Sequence, residues 1–150
     1  MKTTAAQTAQ EIRKVLKHIH PEIKFQITSK SYSGGNSVEI QYTNGVATKE
    51  IEKIVNCFEY GSFNGMEDIY EYTNTNKNIP QVKYIFVNRH LSETIEEEAK
   101  KYIYNRYNQD DINNCYRIEN AIYKLTLEMD LSNGFNNESA KEINYNILSN

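Results

Sequence analysis

Pro21 separates two stretches of chain whose apolar periods cannot belong to the same kind of element. Before it, Ala5, Ala9, Ile12, Leu16 and Ile19 recur every three or four residues, which places them on one face of a helix, and Thr3 or Thr4 is positioned to cap it. After it, Phe25 and Ile27 alternate with Gln26 and Thr28, and Val38, Ile40 and Tyr42 alternate with Glu39 and Gln41. That two-residue period belongs to half-buried strands. Proline lacks the amide proton a helix interior requires, so the first helix stops there and a pair of strands follows.

The two strands flank Tyr32-Ser33-Gly34-Gly35-Asn36-Ser37, a Gly-Gly loop with tyrosine and serine on its shoulders. A phosphate-binding loop needs its glycines to open onto a helix N-terminus, with a Lys and a Ser or Thr following. Here a strand follows, and the chain has no G-x-x-x-x-G-K pattern. The loop therefore reads as a hairpin turn in which Gly35 takes a positive φ, and as a place where Tyr32 and Ser33 can be displayed for recognition.

Farther along, Asn44-Gly45 marks a turn, and Thr48 opens a helix with Ile51, Ile54, Val55 and Phe58 on one side. The segment from Glu59 to Pro80 is broken by Gly61 and Gly65 and reads as a long connection, with Phe63 and Met66 as anchors and Glu67 and Asp68 starting a short helix. Gln81 to Arg89 is the strongest strand. Ser92 caps a charged helix carrying Ile95, Ala99, Tyr102, Ile103 and Arg106 on one side. Asp110 or Asp111 begins another helix, predicted to reach Leu131 with Ile112, Cys115, Ile118, Ile122, Leu125 and Met129 as its stripe, and a last helix spans Glu138 to Leu148. The order predicts an α+β fold: a small antiparallel sheet, made of a hairpin plus one further strand, packed against helices, with a helical C-terminal extension.

At 150 residues the chain suits one compact unit without disulfide or metal support. Cys57 and Cys115 show no C-x-x-C spacing and read as free thiols. The apolar runs are too short to span a membrane and the N-terminus lacks the apolar core of a signal peptide, so a cytoplasmic location is expected. The net charge of −3 disfavours a protein that coats nucleic acid. Its distribution is uneven: Lys2, Arg13, Lys14, Lys17, Lys24 and Lys30 crowd the N-terminal part, whereas Glu50, Glu52, Glu59, Glu67, Asp68 and Glu71 face a single Lys53.

Several groupings invite chemistry. Glu67 and Asp68 could hold Mg²⁺, but such a site needs further carboxylates that the sequence does not identify. His18, His20, His90 and Cys57 are zinc-type ligands, although two histidines two residues apart share a helix face only if the helix has unwound. None of the hydrolase, zinc-protease, kinase or thiol-protease signatures occurs, and no catalytic residues, cofactor or metal are assigned. Tyr102, Tyr104, Tyr107, Tyr116 and Tyr123 exceed what one helical stripe can bury, so they either pack against one another or form a protein-binding surface.

Phe25, Tyr32-Ser33-Gly34-Gly35, Val38-x-Ile40, Asn44-Gly45, Ile51-x-x-Ile54 and Phe63-x-Gly65-Met66-x-Asp68 together resemble the large polyvalent protein-associated domain numbered twenty-nine, over residues 1–90, leaving 91–150 as the helical extension. The resemblance implies a phage or mobile-element protein and supplies no catalytic residues. It points to a non-enzymatic counter-defence factor, in its concrete form an anti-CRISPR inhibitor of an RNA-guided DNA nuclease. The alternative is a nucleic-acid-binding accessory module in which the N-terminal basic residues follow phosphates and Tyr32 stacks on a base. The expected partner-binding residues are Tyr32, Ser33, Glu59, Glu67, Asp68, Glu71, Tyr104 and Tyr107.

Overall fold

The computed structural model describes residues 3–64, 66–67, 69–71, 79–107 and 118–143, with 62–64, 69–71 and 143 described through their backbone alone. The fold is α+β. Its elements run α1 (Thr4–Ile19), β1 (Gln26–Tyr32), β2 (Gly35–Thr43), α2 (Thr48–Val55), a 3-10 turn (Asn56–Phe58), β3 (Ser62–Asn64), β4 (Ile69–Glu71), β5 (Tyr84–His90), α3 (Glu93–Arg106), α4 (Ile118–Thr126) and α5 (Asn137–Ile143). They form two compact units, one of Met1–Tyr42 with Glu50–Asn88 and one of Thr43–Lys49 with Arg89–Asn150.

In the first unit, Thr3 caps α1 by accepting the Ala6 amide at 3.1 Å, and the helix buries Ala5, Ala9, Ile12 and Leu16. Arg13 ties α1 to β1, donating to the Ile27 carbonyl at 2.6 Å. β1 and β2 pair antiparallel, with Ile27 opposite Ile40 and Ser29 opposite Val38. Directly opposed residues share a face, so Ile27, Val38, Ile40 and Tyr42 lie on the buried side and Thr28, Lys30, Glu39 and Gln41 on the other.

The sheet order is β1-β2-β5. Lys83 N–H donates to Asn36 Oδ1, Asn88 Nδ2 to Glu39, and Asn44 N–H to the His90 carbonyl, so β5 ascends alongside β2. The third strand is thus parallel to its neighbour and the sheet is mixed, where an antiparallel sheet was expected. A two-residue turn enforces antiparallel pairing only within the hairpin; the long segment that carries α2 is enough for a crossover.

Three local expectations change. The positive φ of the hairpin belongs to Gly34 (+90°), not to Gly35. Glu67 sits in a turn between β3 and β4, which pair antiparallel with Phe63 opposite Tyr70, so it does not begin a helix, and Met66 is 98% exposed and is not buried in the core. α4 ends at Thr126 and does not continue to Leu131, which instead bridges to Gly45 within the second unit. The predicted start of that helix at Asp110 or Asp111, with Ile112, Cys115 and Tyr116, lies outside the described residues, as does the end of the last helix.

The second unit buries Ile95, Ala99, Tyr102 and Ile103 of α3 against Ala121, Ile122 and Leu125 of α4, with Met129, Leu131 and Ala140 completing the cluster. Ser92 caps α3 through the Ile95 amide. Asn44, held at φ 56°, gives its side-chain amide to Ser92 Oγ and accepts the Ser92 amide in return. Among the described residues, no helix is long and apolar enough to cross a membrane.

Candidate functional site

The outward face of the three-stranded sheet follows from the register. Gln26, Thr28, Lys30 and Tyr32 of β1 lie opposite Gln41, Glu39, Ser37 and Gly35 of β2. On β5, Asn88 reaches Glu39, so Tyr84, Phe86 and Asn88 project to the same side while Ile85 and Val87 project to the other. Tyr32 is 47% and Phe86 51% exposed.

Tyr32, Tyr84 and Phe86, with Lys83 just before β5, form a contiguous row. A Cβ placed on Gly35 would come 3.0 Å from Lys83 Cδ and 3.4 Å from Tyr32 Cε2, so the missing side chain is what lets the lysine stem and the tyrosine ring lie together across β2. Lys83 Nζ donates to the Gly34 carbonyl at 3.1 Å and sits 5.7 Å from the Tyr84 ring centroid, a cation–π distance. The Tyr84 and Phe86 rings stack at 6.1 Å with an interplanar angle of 16°. Lys30 is exposed and lies two residues before Tyr32 on the same face. Among the described outward positions Glu39 is the sole carboxylate, and the amides of Gln41 and Asn88 both donate to it.

Tyr32 therefore stands at the end of this row, and Ser33 is exposed in the turn beside it. Sequence reasoning missed Lys83, Tyr84 and Phe86. The signal was present in "YIFV", which is apolar on both faces, whereas a strand with one wet face normally alternates.

Glu59 is half-buried and accepts the Ile85 amide of β5 at 3.2 Å; Tyr60 N–H and Val82 N–H complete that pairing with the Val82 and Phe58 carbonyls. Burial pushes the Glu59 carboxyl above the usual glutamate range, the Ile85 hydrogen bond opposes that rise, and the Glu52 carboxylate adds to it. Glu52 and Glu67 are exposed, and Glu50 pairs with Lys53 at 3.4 Å. Asp68 and the side chain of Glu71 lie outside the described residues.

In the second unit, Tyr104 and Tyr107 are partly buried against the helical cluster. Burial, then Tyr102, raises the Tyr107 phenol, and Arg106 opposes the shift. A shallow cavity of about 360 Å³ lies over Tyr102 and Phe135, rimmed by Glu98, Lys101, Asn105 and Arg106. Arg89 was not singled out from the sequence, yet its guanidinium donates to the carbonyls of Val46, Met129 and Thr126.

The zinc-type residues do not assemble: among the described residues no group of three or more His, Cys, Asp or Glu could hold a metal ion. His20 approaches Glu22 at 3.3 Å, and burial pushes the exposed-edge thiol of Cys57 up. Cys115 lies outside the described residues.

Comparison with known proteins adds one positive finding. The sequence model of the large polyvalent protein associated domain 29 matches residues 3–92, which spans the first unit and the strand β5. No curated protein and no solved structure matches the chain.

Proposed function

The chain belongs to the family of large polyvalent protein associated domain 29, a phage- and mobile-element-associated domain, and on that premise we propose that it is a non-enzymatic counter-defence protein. In its concrete form it is an anti-CRISPR inhibitor that binds an RNA-guided DNA nuclease in the cytoplasm of the bacterial host and blocks target DNA binding or cleavage. Family membership carries the phage and mobile-element context from which this reading starts.

The first unit supports it with exposed carboxylates. Glu52 lies close enough to Glu59 to raise its carboxyl, and Glu50 and Glu67 add exposed carboxylates. Exposed carboxylates complement a basic DNA-binding channel and favour fast, salt-sensitive association with it. A protein acting this way occupies its target one to one and needs no turnover.

The test is capture of partners from lysate of a bacterial host, with and without nuclease treatment, followed by titration of the captured guide-loaded effector in a DNA cleavage assay. The expected result is retention of a defence nuclease after nucleic acid is digested, and cleavage that falls linearly to zero at an equimolar ratio. Charge reversal at Glu52 and Glu67 should raise the concentration needed. Inhibition that persists far below equimolar protein would point to catalysis and overturn the proposal.

A further inference from the structure

The row formed by Tyr32, Lys83, Tyr84 and Phe86, with Lys30 beside it, combines aromatic rings with cations. We propose that this sheet face binds single-stranded nucleic acid, with bases stacked on the Tyr32, Tyr84 and Phe86 rings and phosphates held by Lys30 and Lys83. It is independent of the counter-defence reading, because it concerns different side chains and a free oligonucleotide as ligand.

The argument starts from the cost of leaving rings in water. Tyr32 and Phe86 stand about half exposed on a strand face whose outward positions other than Tyr84 and Gly35 are polar. Tyr84 and Phe86 already lie in near-parallel planes with their ring centroids 6.1 Å apart, so the strand holds them ready to receive a further planar group. A two-residue step along a strand is about 6.8 Å, close to the spacing of neighbouring bases splayed along an extended single strand, so successive bases can fall on successive rings.

The cations select the ligand. Lys83 is fixed between Tyr32 and Tyr84 by its bond to the Gly34 carbonyl, and Gly35 makes the space for it. Lys30 is exposed on the neighbouring strand. Planar stacking groups joined by anions are the chemistry of a nucleic acid strand, and duplex bases are already stacked and cannot offer their faces. The sole described carboxylate of the face, Glu39, is engaged by the amides of Gln41 and Asn88, while the exposed amide of Gln26 can donate to base edges.

Fluorescence anisotropy with a labelled thymidine 12-mer, measured on the full chain from 50 to 300 mM salt, tests this directly. Two lysines releasing counterions from a single strand give a slope of log K against log salt of about −1.4. Phe86→Ala, at a half-exposed position, is expected to keep its melting temperature and weaken binding about tenfold. Lys30→Glu, fully on the surface, is the second variant, and should cut the salt slope by about half.

No binding of the 12-mer at 50 mM salt overturns the proposal. So does equal binding of a duplex, or binding that neither variant weakens. If Phe86→Ala leaves oligonucleotide binding untouched but abolishes capture of a defence protein, the face takes protein and the proposal fails. Because the anisotropy assay contains no nuclease, its failure leaves the inhibition assay unaffected, and failure of inhibition does not touch it.

Discussion

Replacing Arg89 should unfold the second unit at a markedly lower temperature. Its Nη1 donates to the Met129 carbonyl at 2.8 Å and to the Val46 carbonyl at 3.2 Å, and its Nη2 donates to the Thr126 carbonyl. Thr126 is the last residue of α4, so the guanidinium sits where helix carbonyls lack intrahelical partners and where the dipole favours a cation. Hydrogen bonds from a charged donor contribute about 1.5–3 kcal/mol each. The two shorter bonds at the low end of that range give about 3 kcal/mol for Arg89→Met, which keeps the apolar stem. The longer bond to Val46 shares its nitrogen with another acceptor, and the side chain is only partly buried, so little more is expected. For a chain of this size about 3 kcal/mol lowers the midpoint by about 6–12 °C. Arg89→Lys keeps the charge but cannot fork across three carbonyls, and should lose about half as much. Urea denaturation and amide exchange at Leu125 and Leu131 are the assays. A shift below 0.5 kcal/mol for Arg89→Met would refute the argument that this side chain holds the α4 terminus.

Two further outcomes follow from the first unit. Gly34 has φ +90° and open space around its Cα, so Gly34→Ala carries backbone strain alone and should destabilise by about 1–2 kcal/mol in urea; Gly35→Ala has no such strain and should instead displace Lys83. An equal loss from both would mean that the left-handed residue is misassigned. Glu59 has its folded pKa raised, chiefly by burial, so its stabilising contribution is full below the ordinary glutamate value of 4.5 and is lost as pH rises through the raised one. Glu59→Gln keeps an acceptor for the Ile85 amide and should flatten the dependence of the urea midpoint on pH between 4 and 7; an unchanged profile would sink the assignment.

Local chemistry was legible in the sequence wherever a single element decided it. The spacing of Ala5, Ala9, Ile12 and Leu16 and the stop at Pro21 specify α1, Thr3 and Ser92 cap their helices, and the alternation through Val38, Ile40 and Tyr42 fixes which side of β2 is buried. These depend on residues a few positions apart, and side-chain period and capping are properties of that range. The family, too, could be read from the ordered motifs of the first ninety or so residues.

Tertiary structure alone decided the rest. Both glycines of the hairpin can adopt a positive φ; the register that opposes Tyr32 to Gly35 puts Gly34 in the turn and leaves Gly35 in the strand. The parallel course of β5 depends on the path of a long crossover, which no local signal encodes. That course is what sets Lys83 beside Gly34 and Tyr32, residues about fifty positions away, and so assembles the aromatic row. The same holds for Arg89, whose acceptors come from Val46 on one side of the chain and Thr126 and Met129 on the other. Residue types and periods state what a side chain can do, and only the meeting of distant segments decides which of those capacities is used.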